Sequence, residues 1–191
     1  MSTLVRNAAE QSFPDTVTVI ERSEFTQEVF RSVLRDVEHV IYGIGLPEQF
    51  LFDNSVFERV NCEMLRTFLA ALHSSAVTRF TYISTYEVFE VIDGVIDETH
   101  PIADESHMTP YFQSMVRAYR IAVEFARAHD IQLTTIHPAA VYGAINTGGG
   151  ITDLYRESGF AELASRSLHK RIELSRGPRR LAHGRDHQVP R

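Results

Sequence analysis

The chain has 191 residues, 43% of them hydrophobic and 23% charged, with a formal net charge of −6. That balance suits one globular domain able to bury a core without metals or disulfides, and the lone Cys62 cannot form an internal disulfide, which favours a reducing compartment. Residues 1–165 carry eleven basic against twenty-three acidic side chains, an acidic body that argues against nucleic acid as a partner.

The amino terminus shows no charged leader followed by an apolar stretch, and no apolar run reaches membrane-spanning length. A cytoplasmic protein without membrane contact is therefore expected. Residues 1–15 lack clear periodicity and read as a frayed end. Val17 to Ile20 (V-T-V-I) is strand-like, and Glu24 to Arg35 reads as a helix with Phe25, Val29, Val33 and Leu34 on one face. His39 to Ile44 is the next strand, running into Gly43 and Gly45.

A long helix is expected near Asn54 to Ser74, with Phe57, Val60, Met64, Leu65, Phe68 and Leu72 as its apolar stripe and Asn54 or Ser55 as its cap. Asn61 falls on that apolar face, where a buried amide needs partners. Arg79 to Ile83 follows as a short β-rich run that stops at the polar triplet Ser84, Thr85 and Tyr86. Such a strand delivers side chains to the carboxyl edge of a sheet, where open α/β folds bind their ligands. Thr109 and Pro110 make a good helix start, a cap and then a first-turn proline, and the helix should run to about His129. Ile131 to Ile136 reads as a further strand, and short helices are expected near Ile151 to Ser158 and Ala161 to Leu168.

Alternating strands and helices imply an α/β protein, a partial Rossmann-like fold with a mostly parallel sheet flanked by helices. It would occupy residues 16–160. Residues 161–191 form a basic tail in which a stretch from Arg166 holds eight Lys/Arg and two Asp/Glu and need not fold. His183 and His187 stand four apart in that tail, but no third ligand pattern accompanies them, so no metal site is assigned.

S-T-Y-E-V-F at Ser84 to Phe89, Tyr111 at the start of the next long helix, and H-P-A-A-V-Y-G at His137 to Gly143 resemble the extended short-chain dehydrogenase/reductases, the NAD-dependent epimerase/dehydratases. The resemblance runs from about Val17 to about Leu154. It implies NAD or NADP as cofactor and a hydroxyl- or carbonyl-bearing small-molecule substrate, such as a nucleotide sugar. It further implies a homodimer formed through the two long helices. Thr85 then holds the substrate's oxygen and Tyr111 is the general acid/base, with Glu87 as a second acid/base in the place where some sugar-nucleotide dehydratases keep one. Gly43, Gly45, Ser84, Pro138 and Val141 take the cofactor-binding positions. Asn61 takes the position of an asparagine that braces the active site.

Two departures from the family stand in the sequence. Its pattern Y-x-x-x-K becomes Tyr111-Phe112-Gln113-Ser114-Met115, and the only lysine of the chain is Lys170. A cation about 4 Å from a phenol at an effective dielectric near 20 is worth about 4 kcal/mol, on the order of three pKa units, and methionine supplies none of it. Arg117 and Arg120, though near in sequence, point away on the helix. The family's G-x-x-G-x-x-G phosphate loop is also absent, since the first glycine is Gly43.

By pattern, Val17 to Ile20 is the family's third strand, its first two being absent. It should then either pair beside His39 to Ile44 or be poorly ordered, leaving a hydrophobic edge. The alternative function is a non-catalytic fragment or degenerate paralogue that acts as a binding or interaction module.

Overall fold

The computed structural model describes residues 1–10, 13–46, 53–90 and 95–139. The chain divides into two compact units, Met1–Val141 and Tyr142–Arg191, and every described residue belongs to the first. The expected helices after residue 150, the glycine run Gly148 to Gly150, the basic tail and Val141 lie outside the described residues.

Among the described residues, five strands form two parallel sheets. β1 (Ser2–Val5) pairs with β2 (Thr18–Glu21), and β4 (Arg79–Ile83) lies between β3 (His39–Tyr42) and β5 (Gln132–Ile136). All are joined by the crossovers that parallel pairing requires. The first residues are thus no frayed end. Backbone groups of Ser2–Val5 need partners and find them in β2, while Leu4 packs on the main core. β2 accordingly neither pairs with β3 nor hangs loose. Its place beside β1 is the adjacency of the second and third strands in the doubly wound order, so the expectation that both leading strands lack a counterpart is corrected. β3 pairs only with β4 among the described residues, and its Ile41 is 62% exposed, as expected of a hydrophobic edge.

α1 (Gln27–Val33) starts where Thr26 Oγ1 accepts the Val29 N–H at 3.2 Å, a normal N-cap. The second helical stretch has three parts: α2 (Ser55–Phe57), a π-helical segment (Glu58–Glu63) and α3 (Met64–Leu72). Neither Asn54 nor Ser55 caps it; Asp53 Oδ1 takes the Ser55 N–H at 2.9 Å instead. α4 (Pro110–His129) begins and ends where the sequence indicates, closed by Asp130 in a left-handed conformation.

One face of the central sheet carries Tyr42, Phe80 and Tyr82 into a core with Phe30, Phe68, Leu69 and Leu72. The rings pack edge to face or tilted, as aromatic quadrupoles prefer, with Phe30 and Phe68 at 88°. Cys62 is fully buried in this core, and its thiol is pushed up to about 12 by burial, with the Glu58 carboxylate adding to the effect. Thiolate is the reactive form, so Cys62 should be inert in the folded chain. Ellman's reagent at pH 8 is expected to label it only at the rate of unfolding; labelling within seconds under native conditions would contradict this packing.

Candidate functional site

The site is built where β4 and β5 run past the sheet. Ser84 N–H donates to the Ile136 carbonyl at 2.8 Å and Tyr86 N–H to the Pro138 carbonyl at 3.2 Å, extending the ladder beyond its last strand residues. His137 sits between these bonds. Its Nδ1 lies 3.0 Å from the Thr85 carbonyl and its Nε2 3.0 Å from Thr135 Oγ1. A carbonyl only accepts, so Nδ1 carries the proton and Nε2 accepts from the threonine hydroxyl. The ring rests on Phe89 and Tyr119, with centroids 4.7 and 5.2 Å away.

This frame fixes Thr85, which is 8% exposed and extended at φ −141°, and whose Oγ1 donates to Glu87 Oε2 at 2.8 Å. A single turn, Tyr86–Val88, brings the carboxylate back to the hydroxyl. Thr85 and Glu87, two of the residues expected to be catalytic, are therefore in direct contact. Tyr111, the third, opens α4 and packs on Phe57 at 5.7 Å and against the cluster of Val88, Phe89, Met115 and Val116. That cluster begins directly after the Thr85–Glu87 turn, so α4 presents Tyr111 to the same region.

Met115 stands within the cluster and is 9% exposed. The lysine position is thus an apolar packing position. Arg117 does not substitute for it, since it binds Glu58 at 2.9 Å and Glu105 at 3.6 Å. Arg120 is engaged with Glu105 and the Ala103 carbonyl.

Asn61 acts as a brace. Its Oδ1 accepts the Leu46 N–H at 2.7 Å, and its Nδ2 donates to Ser114 Oγ at 2.9 Å. Ser114 Oγ in turn donates to the Tyr111 carbonyl at 2.6 Å. The loop after β3 is thereby tied to the first turn of α4. The π-helical turn carries Asn61 on its buried side, and such turns recur at functional sites.

The positions expected to hold a dinucleotide give a divided answer. Ser84 Oγ is buried without a partner at the carboxyl edge, which suits a polar group of a bound nucleotide. Gly43 and Gly45 follow β3 on the same edge, and a Cβ at Gly45 would stand 3.5 Å from Asn61 Oδ1, an ordinary contact. Pro138 lines the same edge through its carbonyl bond to Tyr86. The described residues offer no lysine for ribose hydroxyls. A surface hollow of about 430 Å³, lined by Arg31, Arg35, Ser74 and Ser75, lies at the opposite, amino-terminal edge of the sheet. Among the described residues no cluster of His, Cys, Asp or Glu is placed to hold a metal ion, and no helix is long and apolar enough to cross a membrane.

Sequence reasoning placed Thr85, Glu87 and Tyr111 together but assigned no role to His137 or Ser114. The signal for His137 was its position just before Pro138 at a strand end, and its meaning depends on a register that only the folded sheet supplies.

A parallel α/β sheet flanked by helices, with the Thr85–Glu87 pair at its carboxyl edge, defines a Rossmann-like domain. The sequence matches the NAD-dependent epimerase/dehydratase family over residues 5–170, and the chain belongs to that family. No curated protein matches the sequence.

Solved structures share the fold. One is a mutant UDP-glucuronic acid 4-epimerase from Bacillus cereus with UDP-4-deoxy-4-fluoro-glucuronic acid and NAD, at TM-score 0.59 and 16% identity, covering 68% of this chain and 41% of that one. Another is a double mutant of the dTDP-glucose 4,6-dehydratase DesIV from Streptomyces venezuelae with NAD and DAU bound, at TM-score 0.65 and 19% identity, covering 74% of this chain and 44% of that one. The chain thus spans less than half the length of these enzymes.

Two substitutions test the site's construction. Asn61→Ala leaves the Leu46 amide and Ser114 hydroxyl short of partners and should cost about 1–3 kcal/mol in a denaturant melt. Met115→Lys buries an ammonium, which lowers its pKa in the folded state below about 10.4. The unfolded chain then binds more protons, so the variant's stability deficit should be largest at neutral pH and shrink as pH rises towards about 10. A deficit independent of pH in chemical melts would show that the lysine escapes to solvent.

Proposed function

We propose that this chain is a nicotinamide-dependent epimerase, dehydratase or reductase acting on a hydroxyl- or carbonyl-bearing small molecule, with a nucleotide sugar as the substrate class. The observation that carries the reading is the Thr85–Glu87 contact, held at the strand ends and adjoining the packing cluster of Tyr111. In this reading Gly43, Gly45, Ser84, Pro138 and Val141 hold NAD or NADP, and the nicotinamide when bound supplies hydride transfer. Thr85 binds the reacting oxygen of the substrate and Tyr111 approaches that oxygen from the α4 side. Glu87 is the carboxylate available to take or return a proton. Action in the cytoplasm and assembly as a homodimer belong to the same reading.

A second reading is favoured by Met115. An apolar methionine packed in the Val88, Phe89 and Val116 cluster stands where the family keeps its lysine. The chain would then be a non-catalytic fragment or degenerate paralogue, a binding or interaction module that need not hold the nicotinamide cofactor.

Fluorescence titration of the purified chain with NADH and with NADPH separates the two. Saturable binding in the micromolar range supports the enzyme reading, and Thr85→Ala should then weaken nucleotide-sugar binding about tenfold. No binding up to millimolar concentration would remove the enzyme reading and leave the binding module.

A further inference from the structure

The direction of one hydrogen bond limits what this site can recognise. A threonine hydroxyl has a single hydrogen, and that of Thr85 is committed to Glu87 Oε2 at 2.8 Å. An ionised carboxylate only accepts, so the bond cannot reverse while Glu87 is charged. Thr85 Oγ1 therefore faces a ligand with lone pairs alone. Its backbone cannot turn to relieve this, because the Thr85 carbonyl is held by His137 and the flanking amides of Ser84 and Tyr86 by β5 and Pro138. The neighbouring Ser84 hydroxyl does not replace the missing donor, since successive side chains on extended backbone point to opposite faces.

A ligand hydroxyl can donate to Thr85 Oγ1 and still accept elsewhere. A carbonyl oxygen or a fluorine can only accept, and it meets Thr85 lone pair to lone pair. We infer that the Thr85–Glu87 pair makes the site selective for the alcohol form of its ligand over the keto form. Glu87 sets that selectivity by orienting the hydroxyl of Thr85, so it is a positioning residue for recognition. The inference rests on the reading that a nucleotide sugar binds with one of its ring hydroxyls at Thr85.

The test compares UDP-glucose with its 2-, 3- and 4-deoxy-fluoro analogues in calorimetric titrations at pH 8. Fluorine keeps the size and the weak acceptor character of the hydroxyl but removes its hydrogen. In the wild-type chain one analogue of the three should bind about tenfold more weakly than UDP-glucose, the others within about twofold. In Glu87→Ala the hydrogen of Thr85 is released, and that selective penalty should shrink to within about twofold. Thr85→Ser keeps a hydroxyl with the same partner and should keep the full penalty.

Equal binding of all analogues to the wild type, or an undiminished penalty in Glu87→Ala, would overturn the inference while leaving nucleotide-sugar binding intact. Failure of UDP-glucose itself to bind would overturn both.

Discussion

Among the described residues, the placement of Thr85 and Glu87 depends on three bonds that continue the β4–β5 pairing past the end of the sheet. Strand ends ordinarily fray, and a hydroxyl on a fraying end holds no fixed direction. Here Ser84 and Tyr86 donate to the Ile136 and Pro138 carbonyls, and His137 covers the Thr85 carbonyl between them. Pro138 has no N–H to give to the ladder, and the imidazole one residue earlier supplies a bond to the neighbouring strand. Each bond is individually worth about 1 kcal/mol, but leaving any of these sheltered groups unpaired costs more. The site is rigid because the alternatives are unsatisfied.

Behind that frame the packing is apolar. Val88, Phe89, Met115 and Val116 fill the space between the Thr85–Glu87 turn and α4, with Ile102, Met108 and Tyr119 around them. A cation at Met115 would have to be desolvated there, and the nearby arginines are already neutralised by Glu58 and Glu105. Among the described residues, the carboxylate in contact with the Thr85 hydroxyl is that of Glu87. Where the family keeps a lysine, this chain keeps a methionine packed among apolar side chains.

Much of this was legible in the sequence where local chemistry decides structure. Arg79–Ile83 was bounded by a polar triplet, and α4 was marked at its start by Thr109-Pro110 and expected to end near His129, so both were read correctly. The place of Thr85 at the carboxyl edge was legible because a polar run directly after a strand marks that edge, whereas Glu87 was named only through the family resemblance. β1 was not, since four residues with mixed polarity show no period. It exists because β2 pairs with it and Leu4 packs on the core, both long-range effects. The π-helical turn at Glu58–Glu63 was also invisible. Its apolar spacing looks helical, and the extra residue in the turn shows only once Asn61 is seen reaching both Leu46 and Ser114.

That reach joins the two sides of the site. From Leu46 through Asn61 and Ser114 to the Tyr111 carbonyl runs a continuous chain of hydrogen bonds, its side-chain members buried. In a low-dielectric interior such a chain strengthens when complete and is costly when broken, so its members move together or not at all. The loop carrying Gly43 and Gly45 is thereby fixed relative to the first turn of α4. A ligand lying across the carboxyl edge would meet the β3 loop and Tyr111 as one surface rather than two independent ones. Asn61 spends its amide on Leu46 and Ser114. Its importance lies in making the distance between two contact regions a property of the fold.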